Sequence, residues 1–419
     1  MPCVIRSPGD KTLSHVALVL AGLSSGPVDL VNLRVAEDTR GTARALRQLG
    51  VRVGRLRRGG VAVRGRRWVP PSRSIPCGSS TSTARLLLGA LAGLPARTRL
   101  TGGHRLRGAA MSAAALPLRA MGASVDLGPD GGLPVTVHGG RLRSLSFHVQ
   151  DGGSQTKTAL LLAALHGGVP VLLTESPPTR DHAERLMRHL RLPVRLGPGR
   201  VRLDDGPTRR RRLPGWRLVV PGDPTLGAYL IAGAALGASC EVRIERLCLN
   251  RRRAGFLDVM RRMGVACAVQ GGRWSGGERV GNVVVSRSPM RAARTGAEEA
   301  RALADELPAL AVLAARATGQ SRFAGIAGLR GWTPARLGRL VRALRDVGAD
   351  ATEADGGLVV HGTTRPAGVV DVGDDAALAM AFTALAAASG ADMTVRCAPA
   401  ARREYRSYES ALRRMRADA

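Results

Sequence analysis

Apolar residues along the chain follow two patterns, one typical of buried helices and one typical of strands. The run 16–23 directly follows a polar stretch and is long enough to form a buried helix. Shorter runs rich in Val and Leu are bounded by glycine, as strands commonly are. They predict strands at 28–31, 61–63, 135–137, 169–173, 218–220, 283–285 and 358–360. Together the two patterns predict an α/β protein.

The first predicted helix begins within the stretch Ser7–His15, at a place suited to binding an anion. A Pro-Gly pair interrupts whatever precedes it, and Asp10 is a residue type that starts helices. Lys11 therefore lies near a helix N-terminus, where backbone N–H groups already attract phosphate or carboxylate. The alternative is a solvated lysine in a turn. Lys11 and Lys157 are the only lysines among 63 basic residues, which indicates that arginine does not serve at these positions.

A repeated unit divides the chain into six parts. In each copy a helix ends in a turn rich in Leu and Arg, and a short apolar stretch usually follows. The turn positions are Gly50, Gly122, Arg191, Gly264, Gly348 and Arg416. This pattern is typical of a helix that ends in a left-handed cap and is followed by a strand. A spacing of about 70 residues suits a unit of strands and helices rather than a solenoid repeat.

A composition break at Arg209–Pro224 lies between the third and fourth copies. It contains five arginines followed by a stretch rich in Gly and Pro, which is typical of a crossover between domains. The length of 419 residues suits two or three domains. The sequence therefore predicts two halves of three units each.

Composition narrows the possible partners and the location. A net charge of +31 ordinarily indicates nucleic-acid binding. Here, however, the arginines are spread along the chain, aromatic residues make up only 3%, and the residues used most have GC-rich codons. No uninterrupted apolar run reaches membrane-spanning length, and the N-terminus does not look like a signal peptide. The six cysteines show no metal-ligand spacing, so we expect a cytoplasmic protein with reduced, mostly buried thiols.

Seven short stretches, in this order and at this spacing, resemble one enzyme family. They are Ser7–His15 (SPGDKTLSH), Glu37–Arg40 (EDTR), Cys77–Arg85 (CGSSTSTAR), Gly153–Leu160 (GSQTKTAL), Pro178–Arg185 (PTRDHAER), Pro221–Pro224 (PGDP) and Asp305–Ala309 (DELPA). They resemble motifs of the EPSP synthases (3-phosphoshikimate 1-carboxyvinyltransferases) of the enolpyruvyl transferase superfamily. The resemblance covers nearly the whole chain. It implies two domains, each an inside-out α/β barrel of three βαβαββ units.

The resemblance also implies the domain limits, the reaction and the partners. One domain would comprise 10–221 and the other 1–9 plus 222–419, with the active site in the cleft between them. The family transfers the enolpyruvyl group of phosphoenolpyruvate to the 5-hydroxyl of shikimate 3-phosphate and releases phosphate, in the pathway to the aromatic amino acids. These two small molecules would be the partners of a monomer that uses no cofactor and no metal.

Individual roles follow from the same resemblance, position by position. Lys11 would touch both substrates and take part in proton transfer, and Asp305 would accept the proton of the 5-hydroxyl. The residues expected to hold shikimate 3-phosphate are Thr12, Ser154, Gln155, Thr179 and, beside its phosphate, Arg180. Arg336 would pair with the phosphoenolpyruvate carboxylate, and Arg85 would line the same pocket.

Several family positions carry other residues, mostly on the phosphoenolpyruvate side. Val16 stands where the family has the arginine for the shikimate carboxylate, and Thr81 stands where it has a glycine against which phosphoenolpyruvate packs. The other departures are Ala109, Trp332, Thr333, Ala376, Ala377, Ala400 and Gly153. Each lost charge-assisted hydrogen bond costs about 1.5–3 kcal/mol of anion binding. The alternative function is therefore a diverged relative that keeps the fold and a cyclitol-phosphate site without phosphoenolpyruvate chemistry.

Structural interpretations are also open for single residues. Asp305 could be a plain helix N-cap, and Lys157 could be a solvated residue of a first helical turn. His15 and His182 are of the kind that is more often structural than catalytic, and Cys77 is interpreted as a buried thiol.

Overall fold

A computed structural model describes residues 2–57, 59–108, 111–150, 153–204, 213–329, 331–363 and 365–417. The chain divides into two compact units. The first unit comprises Pro8–Pro221 and Trp274–Glu278, and the second comprises Met1–Ser7, Gly222–Arg273 and Arg279–Ala419. The chain thus passes from one unit to the other after Ser7 and again after Pro221.

Strands and helices alternate along both units, which confirms the α/β class. The strands are β1 (Cys3–Arg6), β2 (Pro27–Val31), β3 (Arg52–Val53), β4 (Gly60–Arg64), β5 (Ile75–Pro76), β6 (Arg97–Thr101), β7 (Ser124–Asp126), β8 (Val135–His138), β9 (Leu145–Val149), β10 (Val171–Glu175), β11 (Val194–Gly197), β12 (Arg200–Leu203), β13 (Trp216–Val219), β14 (Val242–Cys248), β15 (Cys267–Ser275), β16 (Glu278–Val285), β17 (Arg294–Thr295), β18 (Gln320–Phe323), β19 (Asp350–Ala354), β20 (Gly357–His361), β21 (Gly368–Asp371) and β22 (Met393–Arg396). The helices are α1 (Lys11–Leu23), α2 (Glu37–Gln48), α3 (Thr81–Ala92), α4 (His104–Arg107), α5 (Ser112–Ala120), α6 (Ser154–Gly167), α7 (His182–His189), α8 (Pro224–Gly237), α9 (Phe256–Arg262), α10 (Ala297–Ala302), α11 (Leu307–Ala314), α12 (Pro334–Asp346), α13 (Ala376–Ser389) and α14 (Pro399–Ala417), with a short 3₁₀ turn at Gly390–Asp392.

Each unit contains three small sheets. In the first unit their strand orders are β13-β2-β4-β3, β5-β6-β8-β7 and β9-β10-β12-β11. In the second unit they are β1-β14-β16-β15, β17-β18-β20-β19 and β21-β22. The first pair in every order is parallel. In four of the six sheets at least one helix connects the two strands of that pair, as in a βαβ unit.

Two sheets take one strand from a distant part of the chain. Strand β1, at the N-terminus, pairs with β14 in the second unit, with Cys3 opposite Val242. Strand β13 pairs with β2 in the first unit, with Trp216 opposite Val28. The sixth sheet, β21-β22, has two strands in the described part of the chain. Helix α14 follows β22 and continues to Ala417.

The interior of each unit contains helices that are apolar on nearly every face. In α3 and α6 ten consecutive residues are buried, 83–92 and 156–165, and in α11 all eight residues are buried. A helix with no polar face is stable only when it is surrounded by protein. By contrast, α2, α7 and α12 have one apolar and one charged face and so lie nearer the surface. The buried helices matter for function because their first turns carry the candidate site residues.

Five of the six repeat positions end a helix in the predicted left-handed conformation. The backbone φ is 86° at Gly50, 102° at Gly122, 84° at Gly264 and 84° at Gly348. Arg191 adopts the same conformation at 60°. Since a side chain there costs about 1 kcal/mol, replacing Arg191 by glycine would remove that strain. The prediction is wrong for Arg416, which lies inside α14 and is followed by another helical residue.

Among the described residues, no helix is both long and apolar enough to span a membrane. The cysteine prediction is confirmed at four positions, where Cys3, Cys77, Cys248 and Cys267 are buried free thiols. Burial raises the pKa of Cys77 to about 12, so this thiol is protonated and unreactive at neutral pH.

Candidate active site

Three buried helices of the first unit begin with polar residues. Asp10 caps α1, since its carboxylate accepts a hydrogen bond from the N–H of Leu13 at 2.7 Å. Ser80 caps α3 in the same way through the N–H of Thr83 at 3.1 Å. Helix α6 begins after Gly153, which offers no side chain to cap it. Helix N-termini favour anions.

One cavity of the first unit collects side chains from these helix starts. Its lining residues are Thr12, Val16, Ser82, Leu86, Ser154, Gln155, Thr158, Arg180, His182 and Ala183. Four of the residues predicted to bind shikimate 3-phosphate, Thr12, Ser154, Gln155 and Arg180, thus line a single cavity. Hydroxyl, amide and guanidinium groups lie around an apolar wall of Val16, Leu86 and Ala183. The cavity is small in this structure, about 20 Å³, which is room for about one water molecule.

A hydrogen-bond chain fixes Arg85 and Gln155 beside this cavity. Arg85 donates to the Gln155 side-chain oxygen at 2.6 Å, and the Gln155 amide nitrogen donates to the Ser82 hydroxyl at 2.9 Å. The Arg85 side chain is buried in α3, so its charge is held in place by the helix and by Gln155. A buried, oriented guanidinium is well suited to bind a carboxylate or phosphate.

Lys11 is the first residue of α1, as the sequence predicted. Its Nζ lies 2.5 Å from the Asp38 carboxylate, and its side chain is 37% exposed. The lysine is therefore neither buried nor free in solvent, but held by an acidic partner at the start of the first helix. Asp38 belongs to the EDTR motif that follows α1, but no local sequence pattern indicates that it pairs with Lys11.

His15 is fully buried one turn further along α1. Its Nδ1 lies 2.8 Å from the Thr42 hydroxyl, which in turn lies 2.8 Å from the Thr83 hydroxyl. In the described part of the chain its Nε2 has no hydrogen-bond partner. Burial, reinforced by the nearby positive charge of Lys11, lowers the pKa of His15 from 6.5 to about 4. The structural role suggested for His15 therefore agrees with its surroundings.

The depressed pKa of His15 predicts an acid-sensitive stability. The unfolded histidine binds a proton below pH 6.5 and the folded one only near pH 4. Its contribution is therefore complete above pH 6.5 and is lost as the pH falls toward 4. We expect wild type to lose about 2 kcal/mol more than His15→Asn between pH 6.5 and pH 5. Urea unfolding of both proteins at the two pH values measures this, and equal losses would contradict it.

Lys157 is fully buried, so the interpretation as a solvated residue is wrong. Its Nζ lies 3.0 and 2.9 Å from the two oxygens of Glu175 and 2.6 Å from Glu184. Burial raises the pKa of Glu184 despite the lysine charge. Burial acts the same way on Glu175, but Lys157 and Thr179 outweigh it and lower that pKa. The sequence signal was present, because Lys157 is one of only two lysines.

Thr179 is tied to this buried cluster. Its hydroxyl donates to Glu175 Oε2 at 2.6 Å, and Arg180, the next residue, lines the cavity. The buried ion cluster therefore supports the segment that carries two predicted ligands of shikimate 3-phosphate. His182, at the start of α7, is buried and also lines the cavity.

Asp305 lies in an exposed turn before α11 in the second unit. The N-cap residue of α11 is Glu306, so Asp305 is not the plain helix cap that the sequence left open. The Asp305 carbonyl accepts a hydrogen bond from the Tyr229 hydroxyl at 3.0 Å. The carbonyl of Ala304 accepts one from the Trp332 indole at 2.8 Å. Two hydrogen bonds thus hold the backbone carbonyls of Ala304 and Asp305, while Asp305 itself is an exposed residue.

Arg336 lies in the first turn of α12, with several partners. Its Nε lies 2.7 Å from the Asp375 carboxylate, and its Nη1 donates to the Gly331 carbonyl at 3.0 Å. The guanidinium carbon lies 4.5 Å from the centre of the Trp332 ring. These contacts hold the arginine in one place at the start of the helix.

The structure also shows the surroundings of the residues that differ from the family pattern. Val16 is 1% exposed within α1, and Thr81 is the first residue of α3. Thr333 caps α12 by accepting from the N–H of Arg336 at 3.2 Å. Ala376 and Ala377 begin α13, which Asp375 caps. Ala109 and the Ala400 side chain lie outside the described residues.

Comparison with known proteins identifies the family. The family model for EPSP synthase (3-phosphoshikimate 1-carboxyvinyltransferase) matches residues 3–412. The chain belongs to the EPSP synthase family. It is 34% identical over 421 residues to the 3-phosphoshikimate 1-carboxyvinyltransferase of Synechococcus sp. (strain WH7803), covering 98% of this chain and 95% of that one. It is 34% identical to the enzyme of the same name from Caulobacter vibrioides (strain NA1000 / CB15N), covering 94% and 90%.

Solved structures agree with this EPSP synthase assignment. EPSP synthase from Acinetobacter baumannii superimposes with a TM-score of 0.88 at 26% identity, covering 98% of this chain and 95% of that chain. The enolpyruvyl transferase NikO from Streptomyces tendae shares the fold, with a TM-score of 0.76 at 19% identity over 98% and 94% of the two chains. The predicted fold, family and enolpyruvyl transfer are therefore confirmed, and none of these matches favours a diverged relative without that chemistry.

Proposed function

We propose that this EPSP synthase binds shikimate 3-phosphate through the first unit and phosphoenolpyruvate with help from the second. Lys11, Thr12, Ser154, Gln155, Thr179 and Arg180 would hold shikimate 3-phosphate. Asp305 and Arg336 would act on the reacting groups in a cleft between halves 10–221 and 1–9 plus 222–419, where Arg85 would line the phosphoenolpyruvate pocket. The observation that supports this most directly is the single cavity lined by Thr12, Ser154, Gln155 and Arg180.

The chemistry requires three proton transfers. The 5-hydroxyl loses its proton to Asp305 as its oxygen bonds to C2 of phosphoenolpyruvate, while the methylene carbon gains a proton. Loss of phosphate and of a methyl proton then restores the double bond. Lys11 is proposed to take part in these transfers because it is the first residue of α1, directly before Thr12, which lines the cavity. Arg336 has five N–H donors, so it can bind the substrate carboxylate as well as Asp375.

Phosphate release tests the proposal directly. Purified enzyme is mixed with both substrates, and inorganic phosphate is measured by a coupled assay. We expect release only when both compounds are present. Calorimetry with each compound alone then separates the two sites, and shikimate 3-phosphate should bind more tightly because more of its predicted ligands are retained. No phosphate release, or no binding of shikimate 3-phosphate, would contradict the proposal.

Thr81 is expected to weaken binding of phosphoenolpyruvate. It places a branched side chain where the family has glycine, at the first residue of α3. We expect Thr81→Gly to lower the KM for phosphoenolpyruvate by about tenfold, the equivalent of one relieved unfavourable contact. Sensitivity to glyphosate, the family's phosphoenolpyruvate-site inhibitor, should increase with it. The KM for shikimate 3-phosphate serves as the control and should stay within about twofold; an unchanged KM for phosphoenolpyruvate would contradict this role.

We further propose a cytoplasmic monomer that has no specific nucleic-acid partner. The dispersed arginines and the scarcity of aromatic residues argue against a specific nucleic-acid partner. Sedimentation at several protein concentrations tests the monomer, and a mass that doubles would contradict it.

A further inference from the structure

Trp332 lies between two residues of the second unit that are proposed to act on the reacting groups, Asp305 on the 5-hydroxyl and Arg336 on phosphoenolpyruvate. Its side chain is 4% exposed, although the family pattern has a lysine at this position. Its indole N–H donates to the carbonyl of Ala304 at 2.8 Å, directly before Asp305. Its ring face lies 4.5 Å from the guanidinium carbon of Arg336. The buried Trp332 side chain therefore contacts both Arg336 and the residue before Asp305.

The backbone at Asp305 is held from two sides. Tyr229, fully buried in α8, donates its hydroxyl to the carbonyl of Asp305 itself at 3.0 Å. Trp332 holds the carbonyl one residue earlier. Tyr229 is itself packed edge-on against Tyr408, whose hydroxyl donates to the Tyr229 carbonyl at 3.1 Å. Two consecutive carbonyls thus receive aromatic donors from separate segments, which fixes the path of the turn that carries the carboxylate.

The arginine is held by contacts of different kinds. Asp375 binds its Nε at 2.7 Å, and the Trp332 ring covers a face of the guanidinium. A cation–π contact stabilises an arginine while its N–H groups remain available for hydrogen bonds. The position of Arg336 therefore depends on Trp332 as well as on its ion pair.

We propose that Trp332 is a positioning residue that couples the turn of Asp305 to the guanidinium of Arg336. The inference rests on the proposed function, since it assumes that Asp305 accepts the 5-hydroxyl proton and that Arg336 binds phosphoenolpyruvate. In this chain the residue at position 332 aligns Asp305 and Arg336, whereas a lysine at that position would supply a positive charge. Trp332 acts through its indole N–H on Asp305 and through its ring on Arg336, so the two effects can be separated by substitution.

Two substitutions separate the contributions. Trp332→Phe keeps an aromatic ring and removes the N–H, so we expect kcat to fall about tenfold with the KM for phosphoenolpyruvate within about twofold. Trp332→Leu also removes the ring, so that KM should rise about tenfold as well. The KM for shikimate 3-phosphate should stay within about twofold in both variants. If Trp332→Leu does not fold, the kinetic constants of Trp332→Phe alone test the inference.

Trp68 provides a matched control in the first unit. It is 3% exposed, and its indole N–H donates to the carbonyl of Gly22 at 3.0 Å. Trp68→Phe therefore removes an equivalent buried hydrogen bond, and we expect it to lower Tm while leaving kcat and both KM values unchanged. Kinetic constants for the Trp332 variants that match those of Trp68→Phe would overturn the inference.

Two further variants distinguish failure of the inference from failure of the proposed function. If Asp305→Asn and Arg336→Ala keep wild-type kinetics, the proposed roles are wrong. If those variants lose activity while Trp332→Phe and Trp332→Leu do not, only the coupling through Trp332 is wrong. Combining Trp332→Leu with Arg336→Lys gives a third measure, since effects on the KM for phosphoenolpyruvate should be clearly less than additive. Additive effects would contradict the coupling.

Discussion

Replacing Asp305 by asparagine is expected to lower kcat by about a thousandfold, the range typical of losing a general base. Asparagine has nearly the same shape as aspartate but cannot accept the proton of the 5-hydroxyl. Asp305 is exposed, and Tyr229 bonds its backbone carbonyl rather than its carboxylate. The substitution should therefore leave Tm within about 2 °C of the wild-type value, the shift expected from less than 1 kcal/mol. Steady-state phosphate release with both substrates measures the effect.

Asp258 offers a matched control for this experiment. It lies in α9 of the same unit, and its carboxylate forms an exposed ion pair with Arg261 at 2.9 Å. Asp258→Asn removes the same charge from the same unit, so it tests whether net charge alone matters. We expect its kcat to match wild type. An Asp305→Asn enzyme that keeps more than about a tenth of the wild-type kcat would exclude Asp305 as the base.

The second large effect is expected from Lys157→Met. The substitution removes the cation that pairs with Glu175 and Glu184, whose side chains are 6% and 2% exposed. Breaking a buried ion pair by removing one partner costs about 3–5 kcal/mol, because the remaining buried charge is poorly compensated. For a protein of this size we expect Tm to fall by about 10 °C. Calorimetry or circular dichroism at pH 8 measures the shift, and a change below about 3 °C would contradict it.

The pH dependence of this variant has a definite sign. Without Lys157, the pKa of each buried carboxyl group should rise, because the lysine charge that opposes the effect of burial is gone. A carboxyl group whose folded pKa lies above its unfolded pKa stabilises the fold at low pH and loses that effect as the pH rises. The deficit of Lys157→Met should therefore be smaller at pH 5 than at pH 8. Adding Glu184→Gln should restore part of the lost Tm at pH 8; no recovery in either test would contradict a buried ion cluster.

The fold was predictable where a local rule determines the backbone. The glycine turns at Gly50, Gly122, Gly264 and Gly348 have left-handed φ because only glycine adopts that conformation without strain. The rule failed at Arg416 because the same Leu/Arg-rich sequence is equally suitable for the middle of an amphipathic helix. Nothing in a local pattern shows that β1 pairs with β14, because that choice depends on residues far along the chain.

Site residues were predictable from the sequence only where they belong to a recognisable motif. The start of α1 with Lys11 follows from cap residues and a following apolar run, which act locally. The partners Asp38, Glu175 and Asp375 were missed because ion pairs form across the fold and leave no periodic signal. Trp332 was interpreted as a lost lysine, since a sequence shows which charge is absent but not which contacts a replacement makes.

The pairing of β1 with β14 has a consequence for protein synthesis. Cys3–Arg6 are synthesised well before their partners, Val242–Glu245, which follow almost 240 residues later. Meanwhile, β2 finds its parallel partner β13 within the same continuous stretch that precedes Pro221. The nascent chain must therefore keep an apolar edge strand, including Cys3 and Ile5, out of other pairings for much of translation. Folding of the second unit is thus tied to a segment that is made long before the rest of that unit.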